Sequence, residues 1–140
     1  MKEVRVKSFS ELHDALSEYR KDNRWVFRGH GDIGWELIPK AGRKPYSEKD
    51  DLDYFDAWKR RAVEFISGEK PQNDWEWLAI AQHHGLPTRL MDWTYNPLVA
   101  AYFATLDVST ADAVIYCHIP EFILIPENTT PRKYKKVSLL

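Results

Sequence analysis

The 140-residue sequence has little of what marks secreted or membrane proteins. It contains one cysteine, Cys117, so an intramolecular disulfide framework is excluded. That cysteine lies in the apolar run AVIYCHI, which predicts a buried and unreactive thiol. No window approaches the ~18–20 consecutive apolar residues that a membrane helix needs, and the first residues carry no apolar stretch typical of a signal peptide. We therefore expect a cytoplasmic protein with no membrane partner.

An excess of charge of one sign is also missing. Twenty Lys and Arg against 21 Asp and Glu leave a formal net charge of −1. Domains that bind nucleic acid over a whole surface are usually basic, so the net charge does not indicate such a partner. Only the polar tail at 127–140 is basic, and it predicts a solvated terminal run that could add phosphate contacts.

Local motifs for a metal or for a nucleotide-binding loop are absent from the sequence. His83 and His84 are adjacent, so they face different sides of a helix, and no Cys, His or Glu set has ligand spacing. The segment GHGDIG at 29–34 lacks the strand–loop–helix context of a dinucleotide fingerprint. We expect no metal.

What is present is ample material for one core. Hydrophobic residues make up 44% of the chain and aromatic residues 14%, with six Trp. A chain of this length is expected to form a single domain over 1–140. Alternating or compact apolar runs predict strands at 3–7, 25–27, 35–38 and 112–119, with a weaker one at 123–125.

Helix signals are stronger, because capping residues accompany the periodic apolar positions. Ser8 with Glu11 forms a capping box before a helix at 9–19. Ser47 with Asp50 precedes a helix at about 48–67. Asn73 precedes a third helix that ends at Gly85, a residue suited to a left-handed backbone.

The fourth helix follows Asn96-Pro97, a usual N-cap and first-turn pair. Its body, LVAAYFATL, is hydrophobic on all sides, so the helix at 97–106 is predicted to be the central buried one. The resulting fold class is α+β, a single compact domain with a small mixed sheet and about four helices.

Three charged residues interrupt apolar segments. Arg28 directly follows a strand, and Arg89 and Asp92 lie within LPTRLMDW. An unpaired charge in such surroundings is costly, so each must be paired, bound to a ligand or placed at a cleft edge. In an extended segment Arg89 and Asp92 point to opposite sides. We therefore predict that Arg28 pairs with Asp92 and that Arg89 is left to meet an anion in the same cleft. The alternative is an Arg–Asp scaffold with no ligand.

Two blocks of the sequence resemble a known family. WVFRGHGDIGWELIPKAGR at 25–43 and WLAIAQHHGLPTRLMDWTYNPLVAAYFA at 77–104 are similar to the FRG domain of bacterial and phage proteins. That family is named for its Phe-Arg-Gly, found here as Phe27-Arg28-Gly29. The similarity spans residues 23 to about 120. The family name describes a sequence motif and does not identify a reaction.

The order of the predicted strands and helices is also similar, more distantly, to that of ADP-ribosyltransferases. Those enzymes have a strand ending in aromatic-Arg-Gly, a Ser/Thr-rich strand, a helix that reads A-x-Y-F-A and a further strand. This similarity implies NAD as a substrate, with Arg28 or Arg89 on its phosphates and Trp93 or Tyr102 against its nicotinamide. It also implies a carboxylate at the ribose, for which Asp92 is the candidate.

The predicted catalytic residues are Arg28, His83 and Asp92, with Glu121 as a second carboxylate candidate. The predicted ligand-binding residues are Phe27, Gly29, His30, Gln82, Thr88, Arg89, Trp93 and Tyr102.

Three functions stay open. The first is an NAD-using, ADP-ribosyltransferase-like enzyme of a bacterial or phage toxin or defence system. The second is a non-catalytic module that binds a nucleotide, a nucleic-acid end or a protein partner through the same cleft. The third is a structural domain whose activity lies in a partner or beyond Leu140.

Overall fold

The structure is a computed structural model that describes residues 2–106 and 110–121. In this part of the chain, helices and an antiparallel sheet give the α+β class that the sequence predicts. The four α-helices are α1 (Phe9–Ser17), α2 (Asp51–Ala62), α3 (Asp74–His83) and α4 (Pro97–Thr105), and the two strands are β1 (Val26–His30) and β2 (Val114–His118). The predicted strand at 123–125 and the tail at 127–140 lie outside the described residues.

The described residues divide into two units. The first unit contains the chain up to Glu36 and again from Asp92 onward, with α1, α4 and the sheet. The second unit runs from Leu37 to Met91 and contains α2 and α3. That 1–140 is a single domain stays a prediction.

Helix starts follow the predicted caps closely. The Ser8 hydroxyl accepts from the backbone N–H of Glu11, and the side chains of Asn73 and Asn96 accept from the first turns of α3 and α4. One cap was wrong, because α2 begins after Asp50 and not after Ser47. Ser47 lies within a short 3₁₀ turn at Tyr46–Glu48, and the helix is shorter than the predicted 48–67.

The sheet differs from its prediction in extent and in pairing. β1 and β2 pair antiparallel, whereas a mixed sheet was predicted, and on the other edge of β1 Phe27 forms a bridge with Thr94. β1 continues through Gly29 to His30, which the sequence analysis placed in a loop. The predicted strands at 3–7 and 35–38 are not strands in the described chain. None of their apolar residues is fully buried, and Val4 and Trp35 are 54% and 48% exposed, so no buried face holds these segments in register.

The first unit has a core in which α4 packs directly on β1. Leu16, Phe27 and Ala100 are its fully buried members. A Cβ added to Gly29 would lie 1.9 Å from the carbonyl oxygen of Ala100 and 2.8 Å from the backbone nitrogen of Ala104. The glycine of the Phe-Arg-Gly motif is therefore required by the contact between a strand backbone and a helix backbone.

The helix at 97–106 was predicted to be the central buried helix, but α4 is buried on one side and exposed on the other. Only the side of α4 with Pro97, Ala100 and Ala104 is buried. The opposite side is exposed in the described chain, and its large apolar residues are Leu98, Val99, Tyr102 and Phe103. Small residues face β1 because only they allow the close approach at Gly29, while the large residues point outward.

The second unit has its own core between α2 and α3. Phe55 and Ala62 of α2 pack with Trp77, Leu78 and Ala81 of α3. Gly85 ends α3 with a φ of 88°, as the C-terminal glycine signal predicted. Among the described residues of both units, no helix has the length and apolar character needed to cross a membrane.

Candidate functional site

The β1–β2 sheet has two chemically different faces. Successive side chains of a strand point to opposite faces, so Phe27 and Gly29 share one face and Arg28 and His30 the other. Phe27 pairs with Cys117, and Arg28 pairs with Tyr116. We call the face with Phe27 the core face (Phe27, Gly29, Ile115, Cys117). The face with Arg28 is the polar face (Arg28, His30, Tyr116, His118). Since α4 packs over Gly29, it covers the core face.

Hydrogen bonds to His30 and to the backbone of Asp92 hold Arg28 on the polar face. Its Nε donates to Nε2 of His30 over 3.0 Å, and its Nη1 donates to the backbone carbonyl of Asp92 over 2.5 Å. The predicted partners Arg28 and Asp92 are thus brought together, with the main-chain oxygen of Asp92 as the acceptor in this hydrogen bond. The two bonds fix the plane and the position of the guanidinium.

Aromatic rings surround these groups. The ring of His30, which is 4% exposed, meets the ring of Tyr116 edge-on with centroids 5.2 Å apart. Its centroid also lies 6.2 Å from that of the Trp35 ring. Trp93 lies 5.9 Å from His118. Arg28, His30, Trp93 and the backbone of Asp92, all predicted site residues, therefore lie at or beside the polar face.

The sequence analysis missed three residues of this group. Tyr116 and His118 alternate along β2, which is a signal for one shared face, but their position opposite Arg28 depends on the register with β1. Trp35 was assigned to a strand that does not form in the described chain. No signal within a few residues of it points to a contact with His30.

Three other predicted residues lie away from the polar face. Phe27 is 2% exposed in the core, and Gly29 lies under α4. Tyr102 is on the outer side of α4, 59% exposed, which places it on the opposite side of the sheet from Arg28. A cavity of about 280 Å³ borders Phe27, and it is lined otherwise by Tyr19, Arg20, Asp22, Asn23 and Tyr95.

In the second unit, Arg89 is bound to carboxylates at the start of α2. Its Nε donates to Asp51 over 2.8 Å and its Nη2 donates to the other oxygen over 2.5 Å, while Asp50 lies 3.5 Å away. The side chain of Arg89 is 23% exposed and that of Asp51 13%. The hydrogen bond to Asp51 raises the pKa of Arg89 above its usual value. The expectation that Arg89 is left free for an anion is therefore wrong, because Asp51 holds its guanidinium.

Gln82 and Thr88 form a structural contact in the same unit. The Thr88 hydroxyl donates to the side-chain oxygen of Gln82 and accepts from the backbone N–H of Leu90. Thr88 is 1% exposed, so this pair ties the end of α3 to the segment that follows it. His83 is exposed at the end of α3, with its ring 5.6 Å from that of His84. That the Arg28 and Arg89 segments share one cleft stays a prediction.

The remaining candidates for chemistry are carboxylates and one thiol. Asp92 and Glu121 are both exposed, and Glu121 lies three residues beyond the end of β2. Desolvation by burial raises the pKa of Cys117 to about 11, so its thiol is protonated near neutral pH and is a poor nucleophile. The described residues contain no group of three or more side chains suited to hold a metal ion.

Comparison with known proteins gives one result about the family. The model of the FRG domain matches residues 23–113, which is more than half of the chain and includes β1, α2, α3 and α4. The matched segment contains Phe27-Arg28-Gly29 and both polar segments discussed above. Searches of curated proteins and of solved structures found no match.

Proposed function

The chain belongs to the FRG domain family, and from that premise we propose that the polar face of its sheet binds a phosphate-bearing, nucleotide-like ligand. Arg28 of the family motif is the cationic contact. The observation that carries the proposal is the fixed guanidinium of Arg28, bonded to His30 and to the carbonyl of Asp92 on a face that also carries Tyr116 and His118.

Phosphate recognition follows from the chemistry of arginine. A planar guanidinium binds phosphate oxygens through parallel N–H donors, and it remains charged at every relevant pH. A guanidinium that is already oriented loses less side-chain entropy on binding than a mobile one. Two of the acceptors of Arg28 are an imidazole nitrogen and a main-chain carbonyl.

Recognition of a base or of nicotinamide would fall to the aromatic residues. Trp35 is 48% exposed beside His30, and Trp93 lies beside His118 at the other end of the polar face. Stacking of a base on an exposed aromatic ring contributes roughly 1–3 kcal/mol. An arginine between two accessible aromatic side chains matches a ligand that has a phosphate group and a flat ring.

We propose NAD as the specific ligand and ADP-ribosyl transfer as the reaction. In such a reaction the bond between nicotinamide and ribose breaks, nicotinamide leaves with the bonding electrons, and a nucleophile (water or a side chain of a target molecule) forms a new bond to the same ribose carbon and releases its proton to solvent. A carboxylate stabilises the positive charge that develops on the ribose. Asp92, next to Trp93 and connected to Arg28 by its backbone, is the first candidate for that carboxylate, and Glu121 is the second.

The test uses ADP-ribose and NAD as probes with calorimetry, thermal shift and an assay for released nicotinamide. We expect Arg28→Ala to weaken ADP-ribose binding at least about tenfold, the loss expected for a charged hydrogen-bonding group. Arg24→Ala is the matched control, because Arg24 is an exposed arginine of the same unit that pairs with Asp22. Equal binding by the wild type and the Arg28 variant would refute the proposal.

The nicotinamide assay separates catalysis from binding. If the wild type releases nicotinamide from NAD and Asp92→Asn does not, the result would support the transferase. Binding of ADP-ribose with no release of nicotinamide would leave a non-catalytic nucleotide-binding module.

A structural role for the motif is the second candidate, and the close approach at Gly29 favours it. Phe27 and Gly29 are explained by packing against α1 and α4, without any ligand. If neither ADP-ribose nor NAD shifts the melting temperature, and if Arg28→Ala unfolds at a lower temperature than Arg24→Ala, this candidate replaces the first.

A further inference from the structure

The side of α4 that faces away from the sheet carries a continuous apolar surface. Five large side chains form this outer face, and each is between 38% and 59% exposed: Leu98, Val99, Tyr102, Phe103 and Leu106. Leu106 belongs to it because the residue directly after α4 keeps helical backbone angles. The rings of Tyr102 and Phe103 meet edge-on with centroids 5.6 Å apart, so the surface is not interrupted between them. Contiguous apolar surfaces of this kind often mark interaction sites.

The spacing of these residues divides the outer face into two parallel rows. Leu98, Tyr102 and Leu106 follow one another at intervals of four residues, and so do Val99 and Phe103. Side chains at this interval form a ridge along a helix, and such ridges pack into the grooves between the same ridges of a second helix. The outer face therefore has the shape to receive a helix with the same two rows, and α4 of a second copy provides them.

The chemistry of the outer face favours an apolar partner. No charged residue occurs in the sequence from Trp93 to Leu106. Beside this face, the hydroxyl of Thr105 donates to the carbonyl oxygen of Ala101 over 3.0 Å, so it already has an acceptor. A charged protein surface would lose its hydration against the outer face and gain no opposite charge. Helices that lie on membranes are usually rich in Lys and Arg on their polar side, and α4 contains neither.

The exposed area of the outer face is close to what a weak dimer needs. A large apolar side chain has roughly 150–250 Å² of surface, and about half of it is exposed here, so each copy presents roughly 400–500 Å². Two outer faces together would bury roughly 800–1,000 Å², near the lower limit of about 1,000 Å² for specific interfaces. We propose that two copies of this chain pair through the outer faces of their α4 helices in a weak, two-fold symmetric dimer.

Such a dimer leaves the proposed ligand site open. Because α4 covers the core face of the sheet, its outer face lies on the opposite side of the sheet from Arg28. The dimer would therefore present two polar faces, both accessible. Pairing of the chains and binding of ADP-ribose are separate properties, so a failure of one does not imply a failure of the other.

The first experiment is sedimentation velocity of the full chain at concentrations from about 1 μM to about 1 mM. We expect the wild type to change from the mass of one chain to that of two across this range. Phe103→Glu places a carboxylate in both halves of the interface, where loss of hydration should raise the dissociation constant at least about tenfold. A wild type that stays monomeric at the highest concentration overturns the proposal, and so does equal association of the wild type and Phe103→Glu.

Phe9→Glu is the matched control for that experiment. Phe9 is 69% exposed in the same unit, but it lies on α1. Its replacement should change the dissociation constant by less than about twofold. Because both replaced side chains are more than half exposed, both variants should melt at the temperature of the wild type when dilute. Equal weakening of the dimer by the two variants would overturn the assignment to α4.

The second experiment uses the wild type without substitution. In an equal mixture of isotope-labelled and unlabelled chains, filtered nuclear Overhauser spectra report contacts between copies. Such contacts should join the rings of Tyr102 and Phe103 to the methyl groups of Leu98 and Val99. Contacts of these rings confined to one chain overturn the proposal. Cosedimentation of the monomer with vesicles of neutral phosphatidylcholine, lost in Phe103→Glu, would instead assign the outer face to a membrane and would also overturn it.

Discussion

The two faces of the β1–β2 sheet use neighbouring residues of one strand for opposite purposes. On the core face, Phe27 and Gly29 are in contact with α1 and α4, and the distances leave no space for a larger residue at 29. On the polar face, Arg28 and His30 form hydrogen bonds and ring contacts. The three residues of the Phe-Arg-Gly motif therefore have different roles: Phe and Gly pack in the core, and Arg forms polar contacts.

The largest expected effect is on the core face, from Gly29→Ala. The new Cβ would overlap the backbone of Ala100 at 1.9 Å, and only a shift of α4 can relieve the overlap. We expect the free energy of unfolding to fall by about 3 kcal/mol or more, at the upper end of overpacking costs. Urea denaturation measures it.

Gly31→Ala is the matched control for this prediction. Its Cβ would lie 3.6 Å from the carbonyl oxygen of Ala104, an ordinary contact with the same helix. We expect a change of less than about 1 kcal/mol. If the free energy of unfolding fell equally in the two variants, the contact of Gly29 with α4 would be no tighter than the contact of Gly31 with α4.

A smaller effect on stability is expected on the polar face, from Arg28→Met. The methionine keeps part of the apolar stem and loses the hydrogen bonds to His30 and to the Asp92 carbonyl, the second of which lies at the surface. We expect the free energy of unfolding to fall by about 1–2 kcal/mol, less than for Gly29→Ala in the same urea titration. A loss as large as that of Gly29→Ala would remove the distinction between the two faces.

The smallest effect concerns Cys117 on the core face, and it depends on pH. Because burial raises the pKa of its thiol from 9.0 to about 11, the folded state favours the protonated form. The stability that this contributes is fully present below pH 9.0 and is lost as the pH rises toward about 11. The stability of the wild type should therefore fall relative to Cys117→Ala over this window. If the free energy of unfolding changed with pH in the same way in both proteins, the prediction would be contradicted.

Features that depend on a few adjacent residues could be predicted from the sequence. The caps at Ser8, Asn73 and Asn96 and the turn at Gly85 each depend on chemistry within one helical turn, and each was confirmed. The α+β class follows from the same local signals. The start of α2 was missed because Ser47 lies within a 3₁₀ turn at Tyr46–Glu48, which precedes the helix that Asp50 caps.

Features that depend on distant residues could not be predicted. Asp51 lies 38 positions from Arg89, so no pattern around Arg89 identifies its partner. The polar face depends on the register that places Tyr116 opposite Arg28, and a shift of one residue would reverse both faces. The exposed side of α4 was missed because a helix that is apolar all round gives no indication of which side meets the core.

The contact at Gly29 also bears on how β1 can move. Where side chains separate a helix from a strand, small displacements are absorbed by changes of rotamer, but backbone atoms in direct contact have no such freedom. Displacement of α4 would therefore displace β1 as well, and the positions of Arg28 and His30 would follow. In hydrogen exchange, the backbone amides of β1 should open only together with those of α4, as one cooperative element.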